Sequence, residues 1–158
     1  MRIWVDADAC PVKNEVFRVA ARLEVPVTLV ANQWMRVPEG DRFTLEVVDE
    51  GFDRADDAIV EGAVAGDVVV TSDIPLAARC LDEGASVLSP SGRDFTAENI
   101  GDALATRELH SSLRESGERV GGPAAFSPKD RSRFLHRLDQ LLLKLRREAL
   151  RSKPPQRS

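Results

Sequence analysis

The 158-residue chain has few of the side chains on which small metal or disulfide domains depend. It contains two cysteines, two histidines and no tyrosine, and eight aromatic residues make up 5% of the total. Cys10 and Cys80 form no CxxC pair, and His110 and His136 lie downstream of both. This spacing argues against a structural zinc site and against a disulfide framework. We expect both cysteines to be small buried residues.

The chain also lacks a long apolar run. No segment approaches the roughly 18 uninterrupted apolar residues that cross a bilayer, and the first residues carry no apolar signal region. We therefore expect no membrane partner and a cytoplasmic location. The length fits one domain over residues 1–150, and the polar, proline-containing residues 151–158 are expected to be a disordered tail.

Charge is distributed unevenly along the chain. Residues 1–126 carry a net charge of -11 and residues 127–158 carry +7. An acidic body with a basic arm fits a protein that binds metal in one region and a polyanion in another. A solvated amphipathic helix with a disordered tail explains the same pattern. A helix over about 129–150 is predicted by apolar residues at helical spacing, namely Phe134, Leu138, Leu141, Leu142, Leu145 and Ala149.

Short apolar runs alternate with helical patterns over most of the chain. Strands are predicted at 2–5, 26–30, 43–48, 67–71 and 85–88, and helices at 11–23, 58–65, 75–83 and 96–113. The alternating residues of 43–48 are typical of an edge strand. This order predicts an α/β fold in three layers, with a mainly parallel central sheet of about five strands.

Acidic residues recur where the predicted strands end. Asp6 and Asp8 follow the first strand, Asp73 follows the fourth, and Asp56 with Asp57 opens the helix between them. Parallel strands gather their carboxyl ends at one edge of a sheet, so these acids are expected to meet. Two carboxylates about 4 Å apart repel by roughly 4 kcal/mol at an effective dielectric near 20. The sequence therefore predicts a Mg²⁺ or Mn²⁺ site.

Each acid also has a simpler explanation. Asp8 and Asp73 are suited to cap the helices that follow them. Asp56 and Asp57 point about 100° apart on a helix, so only one is expected to face the cluster; Asp57 is slightly preferred. Asp53 is a candidate cap for this helix.

Three further residues are predicted to lie at the rim of the site and to contact substrate phosphate. Asn32 and Ser72 follow predicted strands, and Arg79 lies on the helix after Asp73. Amide, hydroxyl and guanidinium groups all donate hydrogen bonds to phosphate oxygens. A turn residue and a solvated arginine are the alternatives.

Four motifs in this order resemble the YaiI/YqxD family of uncharacterised bacterial proteins. They are WVDADACPVK at 4–13, GFDRADD at 51–57, TSDIPLA at 71–77 and GGP at 121–123. The family is similar to PIN-domain and NYN-type nucleases, which implies a PIN-like sheet and an acidic metal centre. The resemblance matches Asp6 to the first-strand acid of those nucleases, Asp73 to their second strand-end acid, and Asp56 or Asp57 to the acid of the preceding helix. The segment 8–11 departs from the nuclease pattern.

Together these features predict a metal-dependent nuclease that acts on RNA, with Asp6, Asp73 and Asp56 or Asp57 around the ion and Asp8 nearby. No histidine base is needed in such a site. One alternative is a non-catalytic PIN-like module that binds RNA or protein. A lesser alternative is a haloacid-dehalogenase-type phosphatase with Asp6 as nucleophile, although the order of the motifs is wrong for that superfamily.

Overall fold

A computed structural model describes residues 1–51, 53–115 and 126–152. In this part of the chain the strands are β1 (Ile3–Asp6), β2 (Val27–Ala31), β3 (Phe43–Val47), β4 (Val68–Val70), β5 (Ser86–Leu88) and β6 (Asp94–Phe95). The helices are α1 (Lys13–Leu23), α2 (Arg54–Gly62), α3 (Ile74–Asp82), α4 (Ile100–Glu115) and α5 (Pro128–Ser152). A short 3-10 helix, Ala7–Ala9, follows β1 directly.

The six strands form one sheet in the order β3-β2-β1-β4-β5-β6. All neighbours are parallel except β5 and β6, which are antiparallel. The strand order reverses direction between β1 and β4. In open parallel sheets, ligands bind beyond the carboxyl ends of the strands at such a switch point. The fold therefore makes the ends of β1 and β4 a candidate ligand-binding site.

Helices cover both faces of the sheet, which confirms the predicted three-layer α/β fold. On one face, Val16 of α1 and Leu138 of α5 pack with Val5 of β1. On the other, Ile59 of α2 and Leu76 of α3 pack in a second cluster. The two clusters are separate because successive side chains of a strand point to opposite faces.

The sheet has six strands, one more than the predicted number of about five. The short strand β6 was not predicted, because two residues carry no alternation that a sequence pattern can reveal. The turn that leads from β5 into β6 contains Gly92, whose φ of +84° is a left-handed conformation that favours glycine. The prediction of an exposed edge strand at 43–48 is confirmed, since β3 ends the sheet and is only partly buried.

The helix predicted at 58–65 begins earlier, at Arg54, and ends at Gly62. Its first turn contains Asp56 and Asp57, as predicted for the acids that open this helix, where the helix dipole favours negative charge. Asp53 stands at the N-cap position with φ +60° but makes no capping hydrogen bond through its side chain. The predicted capping role of Asp53 is therefore wrong.

Helix α5 packs along the sheet through its apolar face, as predicted. Phe134, Leu138, Leu141 and Leu142 are buried. Part of its positive charge faces the body: Arg131 pairs with Glu15 at 2.8 Å and Arg137 with Asp94 at 2.8 Å. Residues 151–152 continue the helix, whereas 153–158 and the GGP motif lie outside the described residues.

None of the described helices combines the length and the apolar character that crossing a membrane requires. Helix α5 is the longest, and its exposed face is charged.

Candidate functional site

The ends of β1 and β4 are joined by one hydroxyl group. Asp6 is the last residue of β1 and Thr71 follows β4 directly. Thr71 Oγ1 donates to Asp6 Oδ2 at 2.9 Å and accepts from the backbone N–H of Asp73 at 3.0 Å. Thr71 is buried, so its hydroxyl is held in one orientation. Two of the predicted acids are thus linked through a single fixed side chain.

Asp73 begins helix α3. Its Oδ1 accepts from the backbone N–H of Leu76 at 3.0 Å, and Pro75 occupies the first turn. The prediction that Asp73 caps this helix is confirmed. Capping engages one carboxylate oxygen, and an ionised carboxylate has several acceptor sites on its two oxygens. A role for Asp73 as a metal ligand stays a prediction.

Asp56 of helix α2 is the third acid near this edge. The pKa of Asp56 is raised to about 6, mainly by burial and then by the charges of Asp73, Asp6 and Asp53, against a lowering effect of Arg79. Asp57 instead forms an ion pair with Arg79 at 2.9 Å. The structure therefore turns Asp56 toward the other acids and engages Asp57 with a cation, the opposite of the slight preference for Asp57.

Asp6 is partly buried among these acids. Burial raises its pKa most, the hydrogen bond from Thr71 lowers it, and the charges of Asp73 and Asp8 raise it again. A nearby like charge shifts a carboxyl pKa in this way only when the groups are close. Asp6, Asp56 and Asp73, which come from three separate segments, therefore lie within electrostatic range of each other.

Asp8 lies in the 3-10 helix and is exposed. Both of its carboxylate oxygens accept from the backbone N–H of Asn32, at 3.1 and 3.0 Å. It does not cap helix α1, whose N-cap position is held by Val12; the capping interpretation of Asp8 is wrong. The Asp8–Asn32 contact ties the end of β1 to the end of β2.

The other predicted rim residues are also at this edge. Asn32 follows β2, and its side-chain Oδ1 is buried without a hydrogen-bond partner among the described residues. Ser72 is exposed beside Thr71, and Arg79 is exposed on α3. Buried polar oxygens are seldom left unpaired, so the Asn32 carbonyl is suited to a water or a cation.

The acids do not converge on one point. Within residues 1–51, 53–115 and 126–152, no group of three or more His, Cys, Asp or Glu side chains is arranged to hold a metal ion. Asp6 and Asp73 each use an oxygen in hydrogen bonds within the protein. The donor set nevertheless fits Mg²⁺ or Mn²⁺, because carboxylate and amide oxygens are ligands that hard divalent cations prefer.

Asp67, at the opposite end of β4, is a carboxylate with a structural role. Asp67 is buried and accepts from the backbone N–H groups of Arg2 and Val64 and from the indole N–H of Trp4. Those three donors, at 3.0 to 3.1 Å, satisfy its charge. Asp6 and Asp73, at the carboxyl ends of the strands, each accept from one donor and lie near other acids.

One exposed residue beyond the end of β2 was not predicted from the sequence. Trp34 lies two positions beyond Asn32, and 77% of its surface is exposed. Its sequence signal is a tryptophan within a polar loop, which is neither a charged nor a metal-binding residue.

The chain matches a family model described as "Uncharacterized BCR, YaiI/YqxD family" over residues 4–144. Among similar proteins, a UPF0178 protein of Brucella ovis is 54% identical over 146 residues, which are 92% of this chain and 91% of that protein. A UPF0178 protein of Bradyrhizobium diazoefficiens is 52% identical over 149 residues, 94% and 89% of the two chains. No solved structure matches. The chain therefore belongs to the YaiI/YqxD family, also called UPF0178.

Proposed function

We propose that this protein is a divalent-metal-dependent nuclease that hydrolyses phosphodiester bonds in RNA in the cytoplasm. Asp6, Asp56 and Asp73 would hold Mg²⁺ or Mn²⁺. The observation that carries the proposal is the proximity of these acids: the pKa values of Asp6 and Asp56 are both raised, mainly by burial and further by the charge of Asp73. A cation relieves the repulsion between close carboxylates and would favour the ionised form of Asp6 and Asp56.

In such a site, a divalent ion neutralises charge on the phosphoryl group and helps to activate the attacking water. The protein's own residues supply positions. Thr71 fixes Asp6 through its hydroxyl, and the cap of α3 fixes Asp73. Arg79, held beside the site by Asp57, is placed to meet a phosphate oxygen.

Binding one ion requires movement of the side chains, because no three ligands are yet arranged around a point in the described residues. Asp56 has the most freedom, since hydrogen bonds hold the carboxylates of Asp6 and Asp73, whereas none to Asp56 is found among the described residues. We propose that its side chain moves closer to Asp6 and Asp73 when the ion binds. The backbone at the ends of β1 and β4 would remain where it is.

Support for RNA as the substrate comes from two sources. The first is the similarity of the family to PIN and NYN nucleases, drawn from the sequence motifs. The second is the positive charge of residues 127–158. Exposed residues such as Lys129, Arg147 and Arg151 are suited to phosphate contacts that weaken as salt rises.

Cleavage of end-labelled RNA with and without Mn²⁺ tests the proposal. The wild-type protein should cleave only with the metal, and Asp6→Asn should abolish cleavage while leaving the circular dichroism spectrum unchanged. Asp82→Asn is a matched control, because Asp82 is exposed at the end of α3. Activity that survives both chelation and Asp6→Asn would reject this mechanism.

The alternative is a non-catalytic RNA- or protein-binding module. It is favoured by the internal hydrogen bonds that Asp6 and Asp73 already make. Calorimetry that detects no Mn²⁺ binding at neutral pH, together with undiminished RNA affinity in the Asp6→Asn/Asp73→Asn variant, would support it over catalysis.

A phosphatase with Asp6 as nucleophile stays the lesser alternative. Trapping of an aspartyl phosphate analogue with beryllium fluoride separates it from the nuclease, which forms no covalent intermediate on Asp6.

A further inference from the structure

Trp34 differs from the other tryptophan of the chain in its surroundings. Trp4 is partly buried, packs beside α2 and donates its indole N–H to Asp67 at 3.1 Å. Trp34 exposes 77% of its surface in the loop 32–42. Leaving so large an apolar ring in water forgoes the stabilisation that its burial would provide. The exposed ring is therefore a candidate for contact with a ligand.

The loop 32–42 is anchored on both sides of Trp34. Before it, the backbone N–H of Asn32 is bound by Asp8. After it, Met35 and Val37 pack against the core cluster on the face of α1 and α5. The backbone is thus held while the indole stands in solvent. A rigid exposed ring loses little conformational entropy when a partner stacks on it.

The anchored ring also lies close to the acidic edge. Two residues of chain span at most about 7 Å, so the Cα atom of Trp34 is within that distance of Asn32. Asn32 is in turn bound to Asp8, whose charge acts on Asp6. Arg36, two positions further along, is exposed as well. The loop therefore brings an aromatic face and a cation to the rim of the candidate site.

We propose that Trp34 stacks on an unpaired base of a single-stranded nucleic acid and that Arg36 contacts the adjoining phosphate. An aromatic face with a neighbouring cation is how proteins hold single strands without reading their sequence. Bases within a duplex are stacked on each other and do not offer this face. The inference deepens the proposed function, on which its choice of ligand rests, by restricting the substrate to unpaired strands.

The test measures binding rather than cleavage. The Asp6→Asn protein is titrated, in the presence of Mn²⁺, with a labelled short oligouridine and with an abasic oligonucleotide of equal length. Trp34→Ala should weaken binding of oligouridine by about 5- to 100-fold. Binding of the abasic strand should change little, because its phosphates remain. Trp34→Phe, which keeps an aromatic face, should lose much less affinity.

A matched control and a second measurement distinguish loss of stacking from a folding defect. Val64→Ala changes another exposed apolar side chain, next to Asp67 at the opposite edge of the sheet, and should leave affinity unchanged. Tryptophan emission should be quenched by oligouridine in the Trp34-containing protein and not in Trp34→Phe, where Trp4 is the only indole. Parallel titrations with oligothymidine and with duplex RNA define the ligand.

Equal affinity of Trp34→Ala for oligouridine, equal quenching by the duplex, or no binding of any oligonucleotide would each overturn the inference. Quenching of the Trp34 emission by a protein, with no quenching by any oligonucleotide, would overturn the inference as well. Failure here is distinct from failure of the nuclease proposal. Metal-dependent cleavage with no effect of Trp34→Ala removes only the stacking role, whereas stacking without cleavage leaves Trp34 in a non-catalytic binding module.

Discussion

Replacing Asp56 by Asn should stabilise the protein near neutral pH and have no effect in acid. The pKa of Asp56 rises to about 6 in the folded protein, from an ordinary value of 3.8. Below about pH 4 the carboxyl is protonated in both the folded and the unfolded chain. As pH rises from about 4 to 6, the unfolded chain releases the proton first, so the folded state loses stability. Above about pH 6 this loss is complete.

The size of the effect follows from the shift and from exposure. A shift of about two pKa units corresponds to roughly 3 kcal/mol of interaction. Asp56 is only partly buried, and solvent screens its charge, so about 1 kcal/mol is expected. For a domain of this size, that free energy raises the melting temperature by about 2–4 °C. The Asn side chain is close in shape, so packing should be retained.

Thermal unfolding of wild type and Asp56→Asn, measured at a series of pH values from 4 to 8 without divalent metal, tests this expectation. Asp57→Asn is the matched control on the adjacent residue. It removes an exposed ion pair with Arg79, which is worth at most about 1 kcal/mol, and should be neutral or slightly destabilising. Adding Mn²⁺ at pH 7.5 should stabilise the wild type and have a reduced effect on Asp56→Asn.

Two results would refute the reasoning. If Asp56→Asn destabilised the protein at pH 7.5, then Asp56 would be held by favourable contacts rather than opposed by other acids. If the variant shifted the melting temperature equally at all pH values, the shift would have no connection with titration of the carboxyl.

Two further substitutions, with a third as a control, probe the frame of the site. Thr71→Val removes the hydroxyl that donates to Asp6, so unfolding in urea should show a loss of about 1–3 kcal/mol, and an unchanged free energy of unfolding would contradict the hydrogen bond. Gly62→Ala places a Cβ atom 2.3 Å from the ring of Trp4 and should cost about 1–3 kcal/mol. Gly101→Ala, which meets no atom within 4 Å, should be neutral or stabilising by up to about 1 kcal/mol; equal effects of the two alanines would contradict the packing.

Much of the fold could be predicted because local sequence and tertiary structure agree. Continuous apolar runs became the central strands, and the alternating run at 43–48 became the edge strand β3. Strand β6 escaped prediction because it depends on a turn at Gly92 and on pairing with β5, neither of which leaves an apolar pattern.

The identity of the acids could be predicted, whereas their orientations could not. The sequence shows that Asp56 and Asp57 point about 100° apart on a helix, but not which side of α2 packs on the body. The burial of Ile59, three residues after Asp56, decides this, because residues three apart share one face of a helix. The contact of Asp8 with Asn32 joins two strand ends and has no local signature.

The exposure of Trp34 was beyond a sequence reading for a related reason. Whether a tryptophan is buried depends on what the rest of the chain packs against it. In the folded chain, Met35 and Val37 pack on the core, whereas the ring of Trp34 faces solvent.

A crystal structure of the protein grown or soaked with Mn²⁺ at pH 7.5 tests the central claim most directly. Anomalous difference density should lie between Asp6 and Asp73, with the Asp56 side chain turned toward it and coordinated oxygens within about 2.0–2.4 Å. Absence of density at this place at millimolar Mn²⁺, with Asp6 still bound only to Thr71 and Asp73 only to Leu76, would contradict the account.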